Sequence, residues 1–92
     1  MRAVITVIGR NKIGIVAGIT QKCSDNKMDI VSLEQQIMQG IFTMMILVDL
    51  SEVTRDLSDI ADDFLHYGEE RGLEVRVRHE DTFNVMYELD RK

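Results

Sequence analysis

The chain has 92 residues, 45% of them apolar and 29% charged, with a formal charge of −5. That is length for one domain with one small core, and the acid excess argues against a nucleic-acid binder, which needs clustered Lys/Arg to neutralise phosphates. The longest apolar run, Met44 to Val48, falls far short of the ~20 residues of a membrane span; Arg2 leads into a strand-like run rather than a signal-peptide core, and a single cysteine excludes an intrachain disulfide and suits a reducing, cytoplasmic compartment.

Residues 2–9 are β-branched and apolar and end at Gly9, the pattern of a strand. Ile15, Val16, Ile19 and Cys23 recur at helical spacing and predict a helix over 13–25, with Asn11 as its N-cap and Asn26 as its stop. Strands follow at 29–38 and 41–50, joined by a hairpin at Gln39-Gly40. Leu57, Ile60, Ala61, Phe64, Leu65 and Gly68 form a helical stripe within 55–71. The last strand, 73–79, alternates strictly: Leu73, Val75 and Val77 on one face, Glu74, Arg76 and Arg78 on the other. The order is βαββαβ.

The strand order follows from the faces. The first and third strands are apolar on both sides, whereas the second and fourth carry polar residues, so the former are central and the latter edges. Right-handed crossovers put both helices on one side. The result is an α+β, ferredoxin-like sandwich with antiparallel sheet order 2-3-1-4. Its other sheet face stays partly apolar and needs a cover. Two covers are available. One is a helical extension over 80–92, where Phe83, Met86, Tyr87 and Asp90 share helical spacing. The other is a second subunit. The domain itself spans 1–79, and a homodimer is expected.

Charge is unevenly spread. Residues 52–70 hold seven acids against Arg55, most of them opposite the apolar stripe of the second helix, which reads as a solvated face. Arg10 and Lys12 instead flank the start of the first helix. The loop between, Gly9-Arg10-Asn11-Lys12-Ile13-Gly14, runs from a central strand into a helix N-terminus. Amides there lack helical partners and carry partial positive charge, and small glycines admit a ligand to the backbone, an arrangement suited to a carboxylate or phosphate. Spacing alone equally allows that both glycines only shape a tight turn. The polar run Glu34-Gln35-Gln36 has two readings as well: an edge strand protected against aggregation, or hydrogen-bonding groups facing a ligand across a dimer seam.

The pattern Gly-x-Asn-Lys-x-Gly-Ile-Val over residues 9–16, set in βαββαβ, resembles the ACT domain. Phe42-Thr43-Met44-Met45 and the total length are similar to the stand-alone, single-ACT proteins of bacteria and archaea, akin to the glycine-cleavage regulator type. The resemblance spans residues 2 to about 79. It implies a regulatory domain without catalysis, dimeric, binding a small effector such as an amino acid or related carboxylate, and passing its output to a separate regulated protein. It also implies a ligand set: Asn11, Gly14 and Ile15 from the loop, with Ser32, Glu34, Gln35 and Gln36 from the second strand of a neighbouring subunit. Asn11 stands where the family often has Asp, so a ligand ammonium would meet a neutral acceptor.

Other chemistries find little support. Cys23 lies on the apolar stripe and reads as a core thiol. His66 and His79 are isolated, no Cys/His/carboxylate cluster has metal spacing, and neither a nucleophile–base pair nor a P-loop is present. No cofactor is expected. Two rivals remain: a constitutive interaction module with no ligand, and, more remotely, an acylphosphatase-like hydrolase. The latter has Arg10 as a faint match to its phosphate cradle but lacks an Asn on the third strand.

Overall fold

The computed structural model describes residues 1–83. Elements run β1 (Arg2–Arg10), α1 (Ile15–Asp25), β2 (Asp29–Met38), β3 (Ile41–Asp49), α2 (Leu57–Glu69) and β4 (Leu73–His79). All pairings are antiparallel and the sheet order is β2-β3-β1-β4, as expected from the strand faces.

Cross-strand partners share a face, so register assigns the pleat. Ala3, Ile5 and Val7 of β1 lie with Val48, Ile46 and Met44 of β3 and with Val77 and Val75 of β4. These residues pack against Ile15, Ile19 and Cys23 of α1 and Ile60 and Phe64 of α2 in one core. Both helices therefore cover one face of the sheet. Burial pushes the Cys23 thiol up to about 11, and Lys22 only partly offsets it, which bears out the reading as a core thiol. The acids of 52–70 are exposed, as is His66.

The hairpin forms because Gln39 and Gly40 both take positive φ, 53° and 80°. That primed turn matches the right-handed twist of its strands. α2 is shorter at both ends than the expected 55–71, and the start of α1 differs from the sequence reading. The N-cap of α1 is Gly14, at φ 90° and ψ 0°, not Asn11, and the helix begins at Ile15 rather than residue 13. A left-handed cap is open to glycine at little cost. The Asn11 backbone N–H donates to the Gly40 carbonyl at 2.9 Å and ties the loop to the hairpin tip. Asn26 caps the C-terminus of α1, its side-chain amide donating to the Lys22 carbonyl at 2.8 Å.

Neither α1 nor α2 covers the second sheet face, on which Ile8, Ile41 and Met45 are exposed and Val4 is buried. At one end residues 80–83 turn helically, Glu80 pairs with Arg2 at 2.8 Å, and Phe83 shares a concavity with Val4 and Leu47. Met86, Tyr87 and Asp90 of the expected extension lie outside the described residues. No described helix is long and apolar enough to cross a membrane.

Candidate functional site

The first loop is held on two sides. Its tie to the hairpin fixes one. On the other, the Lys12 ammonium donates to the Arg71 carbonyl at 3.1 Å, bridging to the end of α2. The Arg71 guanidinium lies 3.7 Å from the centre of the Tyr67 ring and donates to the Tyr67 carbonyl at 3.1 Å. Tyr67 in turn packs its hydroxyl against α1 at Gly18, where a Cβ would stand 1.8 Å from Oη. The Tyr67 side chain thus links α2 to α1 beside the loop.

These contacts frame a small concavity of about 170 Å³ lined by Lys12, Ile13, Gly14, Ile15, Tyr67 and Arg71. Two cationic side chains border it, and the N-terminal dipole of α1 adds to their field. The two glycines of the loop have different roles. A Cβ on Gly9 would meet the Leu73 side chain at 2.7 Å, so its smallness serves strand–loop packing. Around Gly14 there is no atom within 4 Å of a Cβ. Its smallness and its left-handed turn leave the approach to α1 open. Ile13 is fully exposed beside it, whereas the Ile15 side chain is buried in the core and leaves only its backbone for a ligand.

The four β2 residues divide. Ser32, Glu34 and Gln36 are partnered with Leu47, Met45 and Thr43, which puts them on the open face. Gln35 is partnered with Met44 and so lies on the helix side, exposed. β2 is exposed along nearly its whole length, at an edge the helices do not reach. Within one chain the loop concavity includes no β2 residue, so Asn11, Gly14 and Ile15 are not brought together with Ser32, Glu34, Gln35 and Gln36. Two residues that sequence reasoning missed, Tyr67 and Arg71, complete the loop's wall. Only the helical stripe of α2 hinted at them, and nothing in the local sequence reports that α2 ends against the loop. Among the described residues no group of His, Cys, Asp and Glu could hold a metal ion.

A larger concavity of about 660 Å³ lies on the open face, lined by Thr6, Ile8, Glu34, Gln36, Thr43 and Met45 among others. Its described lining consists of strand residues, among which there is no paired acid and base.

A family model described as the ACT domain matches residues 2–78. A UPF0237 protein of Listeria innocua is 39% identical over 97% of this chain and 100% of its own length. One from Methanocaldococcus jannaschii is 39% identical over 96% and 98%. Among solved structures, an ACT domain protein from Streptococcus pneumoniae superposes with a TM-score of 0.79 at 30% identity, covering 90% of this chain and 93% of that one.

Proposed function

The chain belongs to the ACT domain family, and from that premise we propose that it is a cytoplasmic, non-catalytic regulatory module. Its effector is an amino acid or a related carboxylate, held in a homodimer between the first loop of one copy and β2 of the other. The observation that carries this reading is the loop itself: a left-handed Gly14 opening α1, with empty space at its α-carbon, between Lys12 and the Arg71 guanidinium. A carboxylate suits that field, because backbone amides and two cations converge there, and it would compete for Arg71 only with the exposed Glu70 carboxylate 3.5 Å away. Gln35 is the β2 side chain on the helix side, and its amide can both donate to and accept from a bound amino acid. The separation of the two halves within one chain supports a site shared between copies. Mechanistically the effect is linkage: a ligand bridging two subunits favours the dimer by its differential affinity, and a separate protein reads that state.

The test is thermal unfolding of the full chain with each of the twenty amino acids in turn, followed by calorimetry on any that stabilise it. At a concentration about a hundredfold above Kd, a ligand contributes about 2.7 kcal/mol. For a domain of this size that raises Tm by roughly 10–20 °C. No shift with any amino acid or simple carboxylate leaves the constitutive interaction module as the better reading.

A further inference from the structure

The concavity beside the first loop is rich in hydrogen-bond donors. The Gly18 amide makes the first helical bond of α1, to the Gly14 carbonyl at 2.9 Å. The amides of Ile15, Val16 and Ala17 therefore have no helical carbonyl ahead of them. The Lys12 ammonium carries three N–H groups and commits one to the Arg71 carbonyl. The Arg71 guanidinium carries five. Among the described residues its polar contacts, with the Tyr67 carbonyl and the Glu70 carboxylate, both come from Nη1. Stacking on the Tyr67 ring, 3.7 Å from its centre, sets the plane in which the guanidinium donors point.

Acceptors are scarce in the same place. The carbonyls of Gly14, Tyr67 and Arg71 already receive the Gly18 amide, Arg71 Nη1 and Lys12 Nζ. Each keeps a second lone pair, but at Tyr67 and Arg71 a cationic newcomer would share the oxygen with a cation already bound. No Asp or Glu is among the described lining residues. Glu70 stands outside that lining, 76% exposed. On β2, Glu34 lies on the opposite sheet face from Gln35, so the side chain on the helix side is neutral. The rest of the wall is apolar, formed by Ile13, Leu73 and the Tyr67 ring. Its volume of about 170 Å³ is below the roughly 300–1,000 Å³ of sites for drug-sized ligands, which suits a carboxylate with a short apolar tail.

We infer, on the premise of a carboxylate effector at this loop, that the effector is a 2-oxo acid with a short apolar tail and not the corresponding amino acid. A 2-oxo acid offers acceptors alone. Its carboxylate suits the α1 amides and the two cations. Its oxo oxygen takes a further N–H, from Arg71 or from Gln35 of the other copy, whose amide donates as readily as it accepts. The amino acid of the same skeleton replaces that acceptor with an ammonium, which brings three donors and a positive charge. It gives up water without gaining a free acceptor and meets like charge from Lys12 and Arg71. The site thus discriminates at the atom next to the carboxylate, by charge and by donor count.

The experiment is calorimetry on the full chain at neutral pH with pairs of probes that share a carbon skeleton: leucine and 4-methyl-2-oxopentanoate, phenylalanine and phenylpyruvate, alanine and pyruvate. The oxo acid of the best-fitting pair should bind at least about tenfold more tightly than its amino acid, as expected where like charges are brought together. Ile13→Asp supplies the missing acid at a fully exposed position, so the core is untouched. It should shift the ratio toward the amino acid by about tenfold. An amino acid that binds as tightly as its oxo partner overturns this inference and leaves the effector reading standing. Binding by no member of any pair overturns both. A preference for the oxo acid that Ile13→Asp leaves unchanged shows that discrimination arises away from the loop, and likewise overturns the inference.

Discussion

Replacing Gly14 separates folding from binding. Gly14 sits at φ 90° and ψ 0°, in the left-handed region. An L side chain there costs about 1–2 kcal/mol, and a β-branched one falls at the upper end. No clash adds to this, because a Cβ at Gly14 meets nothing within 4 Å. Set beside a total stability of about 5–14 kcal/mol for a chain of this length, Gly14→Val remains folded. Its Tm should fall by roughly 4–16 °C. The isopropyl group would nevertheless stand in the approach to the α1 amides and block a carboxylate. Gly14→Asn is the control, since Asn tolerates the left-handed conformation with less strain yet also projects a side chain into the approach. Calorimetry with the stabilising ligand should show binding lost in both variants, while thermal unfolding shows a large loss only in Gly14→Val. A ligand that binds folded Gly14→Asn with native affinity places the site away from this loop, and the functional reading fails with it.

Three further outcomes follow from the packing. Gly68→Ala should lower Tm despite its better helix propensity, which is worth roughly 1 kcal/mol on an open helix: the new Cβ would stand 2.7 Å from the Leu73 carbonyl and 2.6 Å from a Val75 methyl, so α2 must lift from β4. A raised Tm would refute that. The buried Cys23 thiol keeps its proton up to about pH 11 in the native state, whereas an unfolded thiol releases it near about 8.5, so the folded state loses stability as pH rises between those values. Urea midpoints should therefore fall more steeply over that range in the native chain than in Cys23→Ala. Deleting residues 81–92 removes Phe83 from beside Val4 and Leu47 and should lower Tm or solubility; an unchanged melting curve and unchanged oligomeric state would show that segment to be dispensable.

The architecture was legible because each strand's two faces differ in kind. Both faces of β1 and β3 are apolar enough to demand neighbours on each side, and that alone ordered the sheet. Handedness then placed the helices. The hairpin was legible from Gln39-Gly40 although Gln is an unusual occupant of positive φ, because the flanking apolar runs left no other place for the chain to turn. The start of α1 was misread for an opposite reason. Asn11 has the side chain of a cap, but its backbone N–H is tied to the carbonyl of Gly40, a residue far along the chain, and that tie sets the course of the loop. A tertiary tie displaced a local preference, and the helix waited for the next residue able to take a left-handed turn.

The site was legible only where it is local. The Gly-x-Asn-Lys-x-Gly segment announces a helix N-terminus with cations beside it, and the loop has that form. Tyr67 and Arg71 were not legible, because their place depends on how far α2 runs before β4 begins and on the Tyr67 hydroxyl reaching α1 at Gly18. The polar run of β2 shows the limit most plainly. In sequence, Glu34, Gln35 and Gln36 look like one group, yet the pleat sends Gln35 to the helix side and its neighbours to the other. Assigning them to one ligand requires the parity of the strand.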